Sequence, residues 1–290
     1  MQLFNNIAST ILIAVLSAGS ALAQGNASIA ENAALRYWSA FSEVKDADIT
    51  DQQAKEIRAI LDGTAPYDDS KYKALLEKNT LALEIMGRGT SLRNCDWGLD
   101  YGLGPDMPVD YARKALGLGR LNVLYALHLF KTGNKEGAVH ALGAGLRFSH
   151  DVGNGGTLLA TLIAKSLLVS HLKAIASAFR LEQLSSAQHS ELQSAVTRVG
   201  EGLDWPMAAK RDLEALRQYY AGSSQTVAAL NRIISSYVAV LNDGSKLPIL
   251  KQAIEGAPQD LADVIPNAKQ VLEAKQDLDN TLQQTRSLLQ

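Results

Sequence analysis

Residues 227–241 read VAALNRIISSYVAVL. Val227, Leu230, Ile234, Tyr237 and Leu241 follow one another at steps of three, four, three and four. An α-helix turns once in 3.6 residues, so this rhythm gathers five apolar side chains on one stripe. A strand would need them at every second position. The rhythm recurs upstream. Ile29, Ala33, Arg36, Tyr37, Ala40 and Phe41 predict a helix near 28–44 with its aromatics on one side. Thr50 with Gln53 is a capping-box pair and opens a second helix to about Leu61. A third is expected from Asp69 to Met86, with the Asp68-Asp69 pair at its positive end.

Further helices are expected from Pro108 to Lys131, from Lys135 to His150 and from Thr157 to Phe179. Ser185 with Gln188 opens another, to about Gly202, and Trp205-Pro206 begins the next, to Tyr220. The last carries Val264, Ala268, Val271, Leu278, Leu282 and Leu289 at near-heptad steps. Gly133-Asn134 and Gly153-Asn154-Gly155-Gly156 supply tight turns. Glycines at 117, 119, 143 and 145 would let two neighbouring helices approach closely. Only seven Pro and five Phe argue against a sandwich of many short strands. The expected fold is therefore all-α, with antiparallel helical hairpins in a short α-solenoid or an irregular bundle. It forms a single domain over 24–290, with a possible sub-boundary near 203–206.

The first 23 residues carry no Asp, Glu, Lys or Arg. Ile7 to Leu16 is apolar or small, and Ala21-Leu22-Ala23 is an A-x-A cleavage pattern ahead of Gln24. Residues 1–23 thus read as a signal peptide, and the mature protein is expected in the periplasm or outside the cell. Met1 to Asn6 lack the usual basic residue, which leaves an uncleaved anchor as the alternative. No later segment reads as long and apolar enough to span a membrane, so no stable insertion is expected after processing.

The net charge of −2 offers no basic face for phosphates, so no nucleic-acid partner is expected. A 47% hydrophobic content is too high for a disordered chain. A single Cys cannot form an internal disulfide.

The one long irregular stretch, Gly87 to Met107, draws attention because such loops in compact helical domains tend to be functional. Within seven residues it holds Cys95, Asp96, Trp97, Asp100 and Tyr101. One reading is a binding pocket lined by these residues together with Trp38. A second is a Cys nucleophile, which would need a distant base such as His128 or His150. A third is structural, with Trp97 plugging the helical layer and the carboxylates capping loop amides. No two of the five His stand three to five residues apart, and no phosphate-binding or nucleophile-elbow motif is present. No metal site and no cofactor is expected.

Two resemblances add to this. Asn122 to His150 resembles a tetratricopeptide-type hairpin, with Ala126, Gly133, Ala138 and Leu142 at its small, turn, small and large positions. It departs from that pattern at Asn122, where the pattern has Trp, and at Gly145, where it has Ala; no second copy follows at the repeat period. The strings Asn32-Ala33-Ala34-Leu35-Arg36-Tyr37-Trp38-Ser39-Ala40-Phe41 and Asn94-Cys95-Asp96-Trp97-Gly98-Leu99-Asp100-Tyr101-Gly102 resemble two blocks of a group of uncharacterised secreted bacterial proteins. That likeness, over roughly residues 30–170, implies a helical exported protein and brings no activity with it. The leading expectation is an exported, non-catalytic binding or scaffold protein with a protein or small-molecule partner. The alternatives are a hydrolase using the Cys95–Asp100 loop, and an envelope component that self-associates through 258–290.

Overall fold

The computed structural model describes residues 31–45, 50–62, 64–200 and 202–290. The expected signal peptide lies outside the described residues. Among these residues there are twelve α-helices and no named strand. In chain order they are α1 (Ala33–Glu43), α2 (Asp51–Leu61), α3 (Asp69–Thr90), α4 (Asp110–Lys131), α5 (Lys135–Gly153) and α6 (Leu158–Leu181). Then come α7 (Ser186–Arg198), α8 (Trp205–Tyr219), α9 (Ser224–Asn242), α10 (Leu247–Glu255), α11 (Gln259–Ala262) and α12 (Ala268–Leu288). A 3-10 turn at Tyr101–Asp106 lies in the loop before α4.

Local chemistry sets most of the starts. The capping boxes at Thr50/Gln53 and Ser185/Gln188 are both formed. Asn32, Asp68, Asn134, Thr157, Asp204 and Asn267 each accept a backbone N–H of the following turn. Several boundaries differ from the sequence reading: α5 runs on to Gly153, α7 ends at Arg198 rather than near Gly202, and α10 and α11 are additional short helices. Helix α3 runs on through Gly87 and Gly89 to Thr90, because Gly89 lets the ring of Tyr37 lie against its backbone. A Cβ there would stand 2.6 Å from Tyr37 Cε1. Helix α4 starts at Asp110, two residues after Pro108.

One continuous core runs from Ala33 to Leu282, crossing residues 203–206. Its axis is α6, which packs against α2, α4, α5, α8 and α12. In a solenoid each unit meets only its neighbours. The return of α12 to α6 makes this an irregular bundle. By length and hydropathy α6 could cross a membrane, against the sequence expectation that no later segment could. Its apolarity serves the core instead: Leu167, Leu168, Leu172 and Ile175 are fully buried against other helices. Two of the expected glycines do permit close approach, but mainly to α6 rather than between α4 and α5. A Cβ at Gly119 would meet Leu167 at 2.6 Å, and one at Gly145 would meet His171 at 2.1 Å.

Candidate functional site

The loop between α3 and α4 is tied down at both ends of its suspicious stretch. Asn32 holds Asp96 as a strand would: its Nδ2 donates to Asp96 O at 2.8 Å, and Asp96 N donates to Asn32 Oδ1 at 2.9 Å. Ala33 N donates to Asn94 O at 2.7 Å. The carboxylates serve the loop itself. Asp96 Oδ1 accepts from Gly98 N, and Asp100 Oδ1 accepts from Gly102 N, each at 2.9 Å. Gly98, at φ +64°, sits where only glycine is comfortable.

Trp97 points inward and is only 6% exposed. It stacks on Tyr111 at a centroid distance of 4.1 Å, and on Tyr37 and Phe41 at 5.7 and 6.2 Å. Trp38 stands edge-on to Trp97 and Phe41 and remains 36% exposed, with Lys114 over its ring. Tyr101 donates its hydroxyl to Gly155 O at 2.7 Å, and Arg211 lies over its ring. Cys95 is half-buried, its Sγ 3.8 Å from Asp151 O. Burial and the nearby Asp151 push its thiol well above the usual range, the wrong direction for a nucleophile. Among the described residues no hydrogen bond joins Cys95 to a histidine. His128 instead pairs with Asp69 at 2.5 Å.

The centre of this patch is Asp151, which the sequence reading did not single out. It is completely buried. Its Oδ2 accepts from Tyr37 OH at 2.6 Å and from Arg147 Nε at 3.1 Å, and its main-chain oxygen accepts from Trp97 Nε1 at 2.8 Å. Burial pushes the Asp151 carboxyl above its usual range, against the pull of Tyr37 and Arg147. Tyr37 is pushed higher still, so the shared proton stays on the phenol. The visible signal was the Arg147/Asp151 spacing of four on one helix. Nothing local shows that it is buried under α1.

A cleft of about 750 Å³ opens on the other side of Arg147, within the range of small-molecule sites. None of Trp38, Cys95, Asp96, Trp97, Asp100 and Tyr101 lines it. Helix α5 contributes Gly137, Ala141 and Ala144 to its floor, one face at helical steps. Asn122, Tyr125 and Leu129 of α4 continue that floor, while Leu83, Met86 and Gly87 of α3, Ala195 of α7 and Val199 just after it form the walls. Small residues create the volume. A Cβ on Gly87 would meet nothing within 4 Å, and one on Gly143 would meet only Ala195, at 3.6 Å. The charged lining comprises Arg88, Arg147 and Arg198, with Glu84 and Glu191, and His140 and His150 beside them. Burial pushes the His150 pKa down.

Beneath the floor lies a polar cluster. Asn122 Nδ2 donates to Ala141 O at 2.8 Å and stands 3.1 Å from His171 Nε2. His171 Nδ1 is 2.8 Å from Leu167 O, so that nitrogen carries the proton and Nε2 accepts. Complete burial pushes the His171 pKa down to about 4 and keeps the ring neutral. The two departures from the tetratricopeptide-type pattern thus explain each other. Asn122 reaches His171 because Gly145 leaves the space between them. On the far side of the core Asp212 accepts from Leu158 N at 2.9 Å, and burial pushes its pKa up to about 6.

Among the described residues no group of three or more His, Cys, Asp and Glu is placed to hold a metal. Comparison with known proteins adds no relative, since no family model, curated protein or solved structure matches this chain.

Proposed function

We propose that this is an exported, non-catalytic binding protein whose ligand sits in the cleft between α3, α4, α5 and α7. The cleft itself carries the reading. It is roomy, apolar in its floor and bordered by convergent polar groups, and its walls come from four rigid helices rather than from loops. The hydrolase alternative has less support, because the Cys95 thiol is held protonated and Asp96 and Asp100 are engaged by loop amides. The envelope alternative has less support too, since Val271, Leu278 and Leu282 of the last helix are buried against the chain's own body.

The test is a thermal-shift screen of small molecules against the protein and its Gly87→Leu variant. Leucine at 87 fills the cleft without meeting a neighbour at Cβ. A compound at 100 times its Kd adds about 2.7 kcal/mol. Hits should stabilise the wild type and leave the variant unmoved. A screen with no hits, or with hits that stabilise both proteins equally, rejects the reading. Export is tested by the mass of the protein recovered from periplasm or medium, expected to begin at Gln24.

A further inference from the structure

The arginines of the cleft gather toward one end of it. Helices α5 and α7 run side by side in the same direction. His140 Nδ1 is 3.9 Å from Glu191 Oε1, Gly143 meets Ala195, and Gly153 meets Leu203 just beyond the end of α7. Seven residues past the first pair, on each helix, stand Arg147 and Arg198. Seven residues are about 10 Å of helix rise. Helix α3 runs the same way. Asp69 at its start meets His128 near the start of α5, and beyond its end Arg93 O accepts from Arg147 Nη2 at 3.1 Å. Arg88 and Thr90 of that helix, and Ser91 at its C-cap, therefore belong to the Arg147 end of the cleft. Glu191 belongs to the other end with His140, while Glu84, one turn before Arg88, borders the basic end.

Within the basic end the cations are unequally engaged. Arg147 is fixed by Asp151 and by Arg93 O, and its Nη1 makes no hydrogen bond among the described residues. Arg88 has only a loose, exposed contact with Glu84 at 3.7 Å. Arg198 has no carboxylate partner among the described residues. Between this end and the His140–Glu191 pair the surface is Ala141, Ala144, Ala195 and Met86. A guanidinium fork matches the paired oxygens of a carboxylate or phosphate, and a pre-fixed fork loses little freedom on binding.

Resting on the binding reading above, we infer that the cleft takes an anionic amphiphile. Its oxyanion, a carboxylate or a phosphate monoester, is held by Arg88, Arg147 and Arg198, and its apolar body lies along the α5 floor.

The test is isothermal titration of the whole protein with four ten-carbon probes, all kept below their micelle concentrations. They are decanoate, decyl phosphate, decanol and decyltrimethylammonium. The expected result is binding of decanoate or decyl phosphate in preference to the other two, weakening as salt is raised; the tighter of the two anions identifies the headgroup. Arg88→Ala/Arg198→Ala should weaken that binding by about tenfold or more, with an unchanged melting temperature because both side chains are exposed. Gly87→Leu should abolish it. Equal binding of decanol or decyltrimethylammonium, or anion binding indifferent to the double substitution, overturns the inference. If those uncharged or cationic probes bind and Gly87→Leu removes them, the cleft reading survives while the oxyanion inference falls. No binding of either anion overturns the inference as well, and the binding reading is then decided by its own screen.

Discussion

At Gly145 an added Cβ would stand 2.1 Å from His171 Nε2 and 2.4 Å from Asn122 Nδ2. Those two side chains are buried and hydrogen-bonded to each other. Gly145→Ala is therefore expected to cost about 2–3 kcal/mol in urea denaturation, although alanine is the better helix former. The cost should shrink in a Gly145→Ala/His171→Ala background, where the closer clash is gone and Asn122 has room to move aside; strict additivity would refute this account. The opposite sign is expected at Tyr237, whose buried hydroxyl has no hydrogen-bond partner among the described residues. Tyr237→Phe removes an unsatisfied polar atom and keeps the ring, so it should be neutral or stabilising by up to about 1 kcal/mol. A loss larger than about 1 kcal/mol would show that the hydroxyl does have a partner.

Elements show where local rules suffice and where they stop. Capping boxes at Thr50 and Ser185 were legible because both partners lie within four residues. The end of α3 was not, since glycines read as breakers until Tyr37 is seen to need the space at Gly89. Helix α12 has the spacing of an association seam, but its apolar side chains lie against α6 and α9. An ion pair between Lys165 of α6 and Asp277 of α12 joins the two as well. Deleting residues 258–290 should therefore destabilise the body rather than merely change its oligomeric state. Uncovering what Val271, Leu278 and Leu282 bury amounts to roughly 5 kcal/mol, at about 1.5–3 kcal/mol for each side chain. The measurement is a urea titration of the truncated chain. Wild-type stability with an altered sedimentation coefficient would favour the self-association role instead.

At the scale of the whole molecule, two buried titrating groups oppose each other. His171 has its pKa lowered from 6.5 to about 4 on folding, so the folded state binds fewer protons. Its contribution is complete above pH 6.5 and falls away as the pH drops toward 4. Asp212 has its pKa raised from 3.8 to about 6, so its folded form binds protons more readily. Its contribution is complete below pH 3.8 and is lost as the pH rises through 6. Each shift corresponds to about 3 kcal/mol, and they nearly cancel between pH 4 and 6.5. Asp212→Asn should expose the histidine's acid sensitivity, a fall of about 3 kcal/mol across that interval in urea denaturation. His171→Gln should leave the opposite trend. Parallel pH profiles for wild type and both variants would reject the assignment.

The sequence by itself determined the longer helices, most of their starts and the all-α class, because capping and apolar periodicity act over four to eight residues; the short α10 and α11 escaped it. One of its three readings of the Cys95–Tyr101 loop, Trp97 as a plug with the carboxylates on loop amides, is the arrangement observed. The reason the plug holds is tertiary: Trp97 is clamped by Tyr37, Tyr111 and the carbonyl of Asp151, from three separate helices. Only the tertiary structure decided that this loop is a plug and that the cleft lies elsewhere. A cavity is what remains when Gly87, Gly137, Ala141, Ala144 and Ala195 of different helices face one another, and none of them announces its absence of bulk as a site. Distant residues acquire a common surface only when packing brings their helices together, and that packing is set by the whole core rather than by any one stretch of chain.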